Sequence, residues 1–554
     1  MMCQTRQRIM IDLVELRNQI KILLDNHAYV SSSALASKLV TLSGHLPQDV
    51  HLLARIYYIT NEPLRAVELL ERNGLLSKQQ DENFLSFALL ATQCWSKSAR
   101  HEEVIRVTDI IFGSETSNFA QLKMSLVSRW KESSLTLLSL LSLERGKAYE
   151  AQDNRKKAFF WMKQALHLDV RCFEALEHIV GAQLTPDEET ELFSSLVSSG
   201  CFSSPYTNWL HPVYVSNLGK FDCSTSIESK FELVDKICAV QNGPTLEKDP
   251  DILISKAEAC FYHRDSRGAY DLTKLIFELD PSDYVRASLV HIAAMVELGK
   301  SSELFYFAHR QVKEYPKSAL SWYAVGAYYY SAKKFDASRR YFNKATALDP
   351  NMMSAWIGSA HAHAMHDESD RAMAIYRTAA RLFPGSHIPV LGTAMEYLRT
   401  NNPAFAQQFC EQALNLCPLD PAVYNELGIV FYRLKKFQES TKYFKEALRR
   451  CSGLSERVLS LALESVTFNL GHAQRRAGLI TEAIETYKLA LSRCPKSASG
   501  HASLGLAYHL NDDPQKAIDC YHISLGIHPG DTLVGELMEL ALVDMYKQTN
   551  SLIV

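Results

Sequence analysis

From Ala319 onward the apolar positions of this 554-residue chain follow a helical rhythm. Trp322, Val325, Gly326 and Tyr329 fall at i, i+3, i+4 and i+7, which gathers them on one helix face. Ser338, Phe342 and Ala345 make a second such face, and Gly326, with no side chain, lets that second helix come close. Pro350 then ends the unit, because its ring cannot continue the hydrogen-bond ladder. The unit recurs. Pro316, Pro350, Pro384 and Pro418 are each 34 residues apart, as are Ser338, Ala372, Ala406 and Ser440, and Phe342, Tyr376, Cys410 and Phe444. After an insertion near Cys451 to Glu464 the interval returns in Ala483 and Ala517, Tyr487 and Tyr521, Pro495 and Pro529. Asp49, Asp283, Ser318, Ser386, Asp420, Ser497 and Asp531 each follow a closing proline by two residues and are candidate N-caps for the next first helix. Met352 breaks that pattern.

Large residues early, small ones at fixed places and a terminal proline, at this period, match the tetratricopeptide repeat (TPR) pattern. The predicted fold is all-α, a TPR superhelical solenoid of antiparallel helix pairs. Trp356 is expected between stacked helices. Residues 1–200 carry less regular pairs, such as Tyr58, Ala66 and Leu70, then Gly146, Tyr149, Ala158, Met162 and Ala165. Residues 201–250, with Pro205, Pro212, Gly219, Cys223 and Asn242-Gly243-Pro244, read as an irregular break between halves. Residues 251–530 form the regular superhelix, and 531–554 a capping helix and short tail. At the start, Leu13, Leu16, Ile20 and Leu23 form an amphipathic stripe that needs a partner. It either packs on the first repeat of its own chain or contributes to a self-association surface, and the residues alone leave both open.

Composition narrows the function. Net charge is −3, with no electrostatic footprint for nucleic acid. The most apolar stretch, Leu135 to Leu143, is too short to span a membrane, and no secretory signal is recognisable at the start. Twelve cysteines without a CxxC pair read as small apolar filler in a reducing compartment. Gly299-Lys300-Ser301 resembles the end of a phosphate-binding loop, but Ala294 replaces the required earlier glycine, so a turn is expected. His361, His363 and His366 cluster on one helix, yet only His363 and His366 have ligand spacing and no Cys is near; no metal is expected. His363 is expected to pack and His361 to face the groove. No catalytic residue, cofactor or enzyme activity is predicted.

What remains is a concave surface. In a TPR stack, positions 2, 5, 9 and 12 of each first helix line it. Here these are Leu320, Tyr323, Ala327 and Tyr330, then Ser354, Ile357, His361 and Ala364, then Ile388, Leu391, Met395 and Leu398. Ala422, Asn425, Ile429 and Tyr432 follow, then Phe468, His472 and Arg475, and Ala502, Leu506 and His509. Such a lining suits a peptide with apolar anchors.

Several strings go beyond generic repeat consensus: Ser321-Trp-Tyr-Ala-Val-Gly326, Thr400-Asn-Asn402, Asn425-Glu-Leu-Gly428 and Asn469-Leu-Gly-His472. In these the chain resembles the family of anaphase-promoting complex subunit six, the cell division cycle protein sixteen family, strongly over about 319–545 and more loosely before. The resemblance implies a non-catalytic scaffold of a multisubunit cullin–RING ubiquitin ligase controlling mitosis. It implies homodimerisation through the amino-terminal repeats, a small accessory subunit held in the carboxy-terminal groove, and other TPR subunits of the complex as neighbours. The groove positions are candidates for the accessory-subunit contact, and Leu13, Leu16, Ile20 and Leu23 for the dimerising half. Nucleus and cytoplasm are the expected locations. The alternatives are a generic TPR adaptor or co-chaperone binding peptide tails, which the missing Lys/Arg set disfavours, and an enzyme with TPR arms, for whose catalytic domain the chain leaves no room.

Overall fold

The computed structural model describes residues 12–77, 83–113, 126, 130, 134–182, 185–202, 207–217, 249–262, 265–279, 285–418, 420–451 and 459–551. Among them there is no strand, and no helix is long and apolar enough to cross a membrane. Pro205, Gly219, Cys223, Asn242-Gly243-Pro244 and Asp283 lie outside the described residues. The chain divides into two compact units, Met1–Gly181 with Glu191–Leu210, and Ala182–Thr190 with His211–Val554.

The first unit contains α1 (Leu13–Asp25), α2 (Tyr29–Leu42), α3 (Pro47–Ile59), α4 (Pro63–Arg72), α5 (Phe84–Lys97), α6 (His101–Phe112), α7 (Leu135–Ala151) and α8 (Arg155–Leu168). Leu39, Ile56, Leu70, Phe84, Phe87 and Trp95 are fully buried in its core. Asp49 is no N-cap: α3 begins at Pro47, so Asp49 sits inside the first turn. It is buried there and pairs bidentately with Arg17 of α1 at 2.7 and 2.9 Å, which holds its carboxyl below the usual range. Next in the chain come α9 (Phe173–Ala182), α10 (Pro186–Ser198) and α11 (Leu210–Asn217).

The second unit continues with α12 (Pro250–Tyr262), α13 (Ser266–Leu279), α14 (Val285–Glu297) and α15 (Ser301–Glu314). Regular pairs follow: α16 (Ala319–Ser331) with α17 (Phe335–Leu348), α18 (Met353–Ala364) with α19 (Ser369–Leu382), and α20 (Ile388–Arg399) with α21 (Pro403–Leu416). Then come α22 (Pro421–Arg433) with α23 (Phe437–Cys451), α24 (Leu459–Arg476) with α25 (Ile480–Arg493), α26 (Ala498–Leu510) with α27 (Pro514–Ile527), and a closing α28 (Thr532–Ser551). From α16 to α28 each first helix also touches the first helix of the next pair, so these helices line one common wall.

The spacing of small and large residues is the packing rule of this stack. Phe342 of α17 is a knob held between two glycines. A Cβ on Gly326 of its own pair would come within 2.7 Å of the ring, and one on Gly358 of the next pair within 2.8 Å. Tyr376 meets Gly392 of the following pair in the same way, while Phe444, Tyr487 and Tyr521 meet Gly428, Gly471 and Gly505 of their own. The serines at the small position add a buried bond: Ser338 donates to Gly326 O at 2.9 Å and Ser440 to Gly428 O at 2.8 Å.

The turn inside each pair has a period of its own. Gly299, Lys333, Asp367, Asn401 and Lys435, then Gly478 and Asp512, all have positive φ, between 57° and 85°. Each closes its first helix in a left-handed residue; at Lys333 the following N–H, of Lys334, bonds back to Tyr329 O at 2.9 Å. Gly299 thus sits in a turn between α14 and α15, as expected.

At three junctions between pairs, the side chain six residues beyond the proline pins the turn. Trp322 Nε1 donates to Pro316 O at 3.0 Å, Trp356 Nε1 to Pro350 O at 2.9 Å and Tyr424 Oη to Pro418 O at 2.8 Å. Trp356 is therefore half-buried at a turn rather than enclosed between helices, because its indole N–H must reach that carbonyl. Of the expected caps, Asp420 accepts from Ala422 N at 2.9 Å, Ser497 from Gly500 N at 3.2 Å and Asp531 from Val534 N at 3.3 Å. Ser318 occupies the cap position without a side-chain bond. Ser386 does not cap: His387 takes that place, and Ser386 is fully buried.

Candidate partner-binding cleft

Because the first helices share a wall, alternate faces of α16, α18, α20 and α22 open on one cleft of about 510 Å³, reaching from α12 and α14 to α23. Tyr323, Ala327 and Tyr330 of α16, Ile357 and His361 of α18, and Leu391 and Met395 of α20 lie on its wall. Leu320 does not; it is 1% exposed, in the core of the stack. Further along, Asn425 accepts a bond from Asn469 Nδ2 at 3.1 Å, which ties α22 to α24. Ile429 and Tyr432 are half-buried against Tyr424, Phe444, Val466 and Leu470. Phe468 packs beneath Gly500, His472 Nδ1 lies 2.8 Å from Tyr487 Oη, and Arg475 is half-buried on the same face of α24.

Other lining residues had no signal in the groove positions. Phe261 and Tyr262 close one end, and His387, Asp420, Glu426 and Arg450 gather near the other. His387 Nε2 lies 2.8 Å from Asp420 Oδ2. Arg450 donates to Glu446 at 2.9 Å and its guanidinium sits 4.4 Å over the Tyr424 ring. Among the described lining residues Arg450 is the only Lys or Arg.

Burial shifts two ionisable groups on the wall towards their neutral forms. His361 Nδ1 lies 2.5 Å from Tyr376 Oη, and desolvation pushes the imidazole down to about 4. Burial pushes the Glu426 carboxyl up to about 7, offset only by the amide bond from Asn425 Nδ2 at 3.1 Å. His363 is buried beside Glu368 at 2.8 Å, and His366 lies half-exposed in the turn after α18, so the three histidines do not converge on one site. No group of three or more His, Cys, Asp or Glu that could hold a metal occurs among the described residues. Burial pushes the Cys94 thiol up to about 12 and Cys260 to about 11, which keeps both protonated.

In the first unit, Ile20 is fully buried and Leu13 and Leu16 are half-buried against that unit's own core; Leu23 is half-buried. Elsewhere on α1 and α2, Val14, Ile22 and Val30 are exposed, at 60%, 57% and 85%.

A family model described as tetratricopeptide repeat matches residues 312–387 and 468–532. Anaphase-promoting complex subunit 6 of Arabidopsis thaliana is 35% identical over 549 residues, spanning 96% of this chain and 97% of that protein. The cell division cycle protein 16 homolog of Homo sapiens is 33% identical over 96% of this chain and 85% of its own length. Among solved structures, the APC/C hetero-tetramer Cut9-Hcn1 superposes with a TM-score of 0.77 at 28% identity, covering 96% of this chain and 97% of that one. Fold, repeat spacing and near full-length similarity agree: the chain belongs to the anaphase-promoting complex subunit 6, or cell division cycle protein 16, family of TPR proteins.

Proposed function

We propose that this chain is a non-catalytic scaffold subunit of an anaphase-promoting complex, a cullin–RING-type ubiquitin ligase acting in mitosis in nucleus and cytoplasm. Its cleft holds a segment of a small accessory subunit, and its first unit pairs with a second copy. The observation that carries this reading is the likeness, over 96% of the chain, to a chain of the APC/C hetero-tetramer Cut9-Hcn1. The cleft supports it, since an apolar wall with few polar groups suits a peptide with apolar anchors. So do the exposed apolar side chains Val14, Ile22 and Val30 of the first unit, which a second copy would cover. The candidate contacts to the accessory segment are the groove positions from Tyr323 to Arg475; Leu13, Leu16 and Ile20 pack on their own unit's core instead, which leaves the exposed residues of α1 and α2 to meet a second copy. A co-chaperone role has less support, because one Arg already bound by Glu446 is a poor clamp for acidic tails.

Affinity purification of the tagged full chain from native lysate tests the proposal. Cullin and RING subunits and a small protein should co-purify, at two copies of this chain per assembly. A chain that elutes alone, with no ligase subunit, counts against it.

A further inference from the structure

Along the cleft wall, two successive pairs share one packing arrangement and the third departs from it. In successive pairs, the knob of a second helix faces the next first helix sixteen residues later: Phe342 meets Gly358, and Tyr376 meets Gly392. One repeat further on, the knob position holds Cys410 and the glycine position holds Glu426. The sizes are exchanged. A small thiol replaces the ring, and the space it vacates admits a long acidic side chain. Cys410 is fully buried, and the negative charge of Glu426 raises its thiol further. Glu426 lines the cleft, as do Phe342, Gly358 and Gly392 at the equivalent places. An aromatic-and-glycine surface thus becomes a carboxyl at this one station.

Among the described residues that carboxyl is bonded by its neighbour Asn425 alone, whose own oxygen is taken by Asn469. The cations and acids nearby are committed elsewhere, Arg450 to Glu446 and His387 to Asp420. A carboxylate in a water-poor cleft without a charged partner is costly, and a cation brought to it forms a strong charge-assisted bond. We infer that Glu426, in the space left by Cys410, is a specificity-determining subsite that takes a Lys or Arg side chain of the segment occupying the cleft. This rests on the reading of the cleft as a peptide groove and adds which side chain it selects. The apolar stations from Tyr323 to Met395 anchor the segment, and Glu426 sets its register by accepting a cation at one place along it.

The test uses the full-length protein and fluorescein-labelled twelve-residue peptides rich in Leu and Ala. A single Lys is walked along the peptide, each version paired with one carrying norleucine, which keeps the stem and removes the charge. Fluorescence anisotropy should show one position where Lys binds at least about fivefold more tightly than norleucine, a difference of about 1 kcal/mol. The preference should vanish in Glu426→Gln. It should also vanish in the double variant Cys410→Phe with Glu426→Gly, which restores the ring-and-glycine pair of the neighbouring repeats. Circular dichroism confirms folding, and if the double variant fails to fold, Glu426→Gln decides alone. Equal binding of Lys and norleucine at every position, or a preference that survives Glu426→Gln, overturns the subsite while leaving the groove intact. If no peptide binds the wild-type protein, the groove reading falls and the subsite with it.

Discussion

At single positions, the most demanding backbone lies in the turn inside each pair. Lys333 and Lys435 sit at φ 57° and 62°, where a side chain crowds its own backbone. Neighbouring repeats place Gly299, Asp367, Asn401 and Gly478 at the same station, residues that tolerate this conformation more readily. Replacing Lys333 and Lys435 by Gly should therefore stabilise the second unit, by about 0.5–1 kcal/mol per site once glycine's entropy is subtracted. Urea unfolding of the double variant reads it as a raised midpoint; a lowered one would show that the lysine stems contribute more than the strain costs. This station escaped the hydrophobic pattern because Gly, Lys, Asp and Asn share no polarity, only a tolerance of one conformation. Glu426 was hidden for a related reason. A polar residue within a groove reads as ordinary variation until its opposite number, Cys410, is seen to be small in compensation.

At the level of helices and their junctions, the 34-residue interval made the pairs legible in advance, because large and small side chains must be matched once per repeat. Groove stations follow from the same interval, which is why Tyr323, Tyr330, Ile357 and Leu391 share a wall. Boundaries were less legible. Caps read from a Ser or Asp after proline hold at Asp420 and Ser497 but not at Asp49, where an arginine from another helix takes the carboxylate. Trp356 carries the same lesson. A large aromatic at an apolar station suggests burial, yet its N–H binds Pro350 O at the junction. Trp356→Phe should cost about 1 kcal/mol, the net worth of one hydrogen bond. That is below the ~3–5 kcal/mol of emptying a buried indole site. Thermal unfolding of Trp356→Phe beside Trp356→Ala separates the two; a loss above about 3 kcal/mol in the Phe variant would place the indole in the core instead.

For the molecule as a whole, buried ionisable groups limit the pH range from both sides. Glu426 holds its proton up to about pH 7 in the folded chain but only to the usual 4.5 when unfolded. The folded state thus binds the extra proton between those values, and stability falls as pH rises from about 4.5 to about 7. His291, buried against Tyr270 and Phe307, and His361 behave in the opposite way. Both are pushed down to about 4 from the usual 6.5, so the stability they contribute is complete above 6.5 and lost as pH falls towards 4. Glu426→Gln should abolish the decline between pH 5 and 7 while leaving the acid-side loss in place. Urea midpoints measured from pH 4 to 8 check this, and parallel curves for variant and wild type would contradict it.

The shared knob also makes the order of the repeats non-interchangeable. Excising Asn351–Pro384 would bring Phe342 against Gly392, a ring meeting a glycine once more, and the shortened protein should fold. Excising Gly385–Pro418, of identical length, would drive Tyr376 into Glu426, and should yield an aggregating or protease-sensitive product. The stack is thus keyed at this junction: its modules look alike, but the exchanged sizes of Cys410 and Glu426 decide which of these neighbours can be joined.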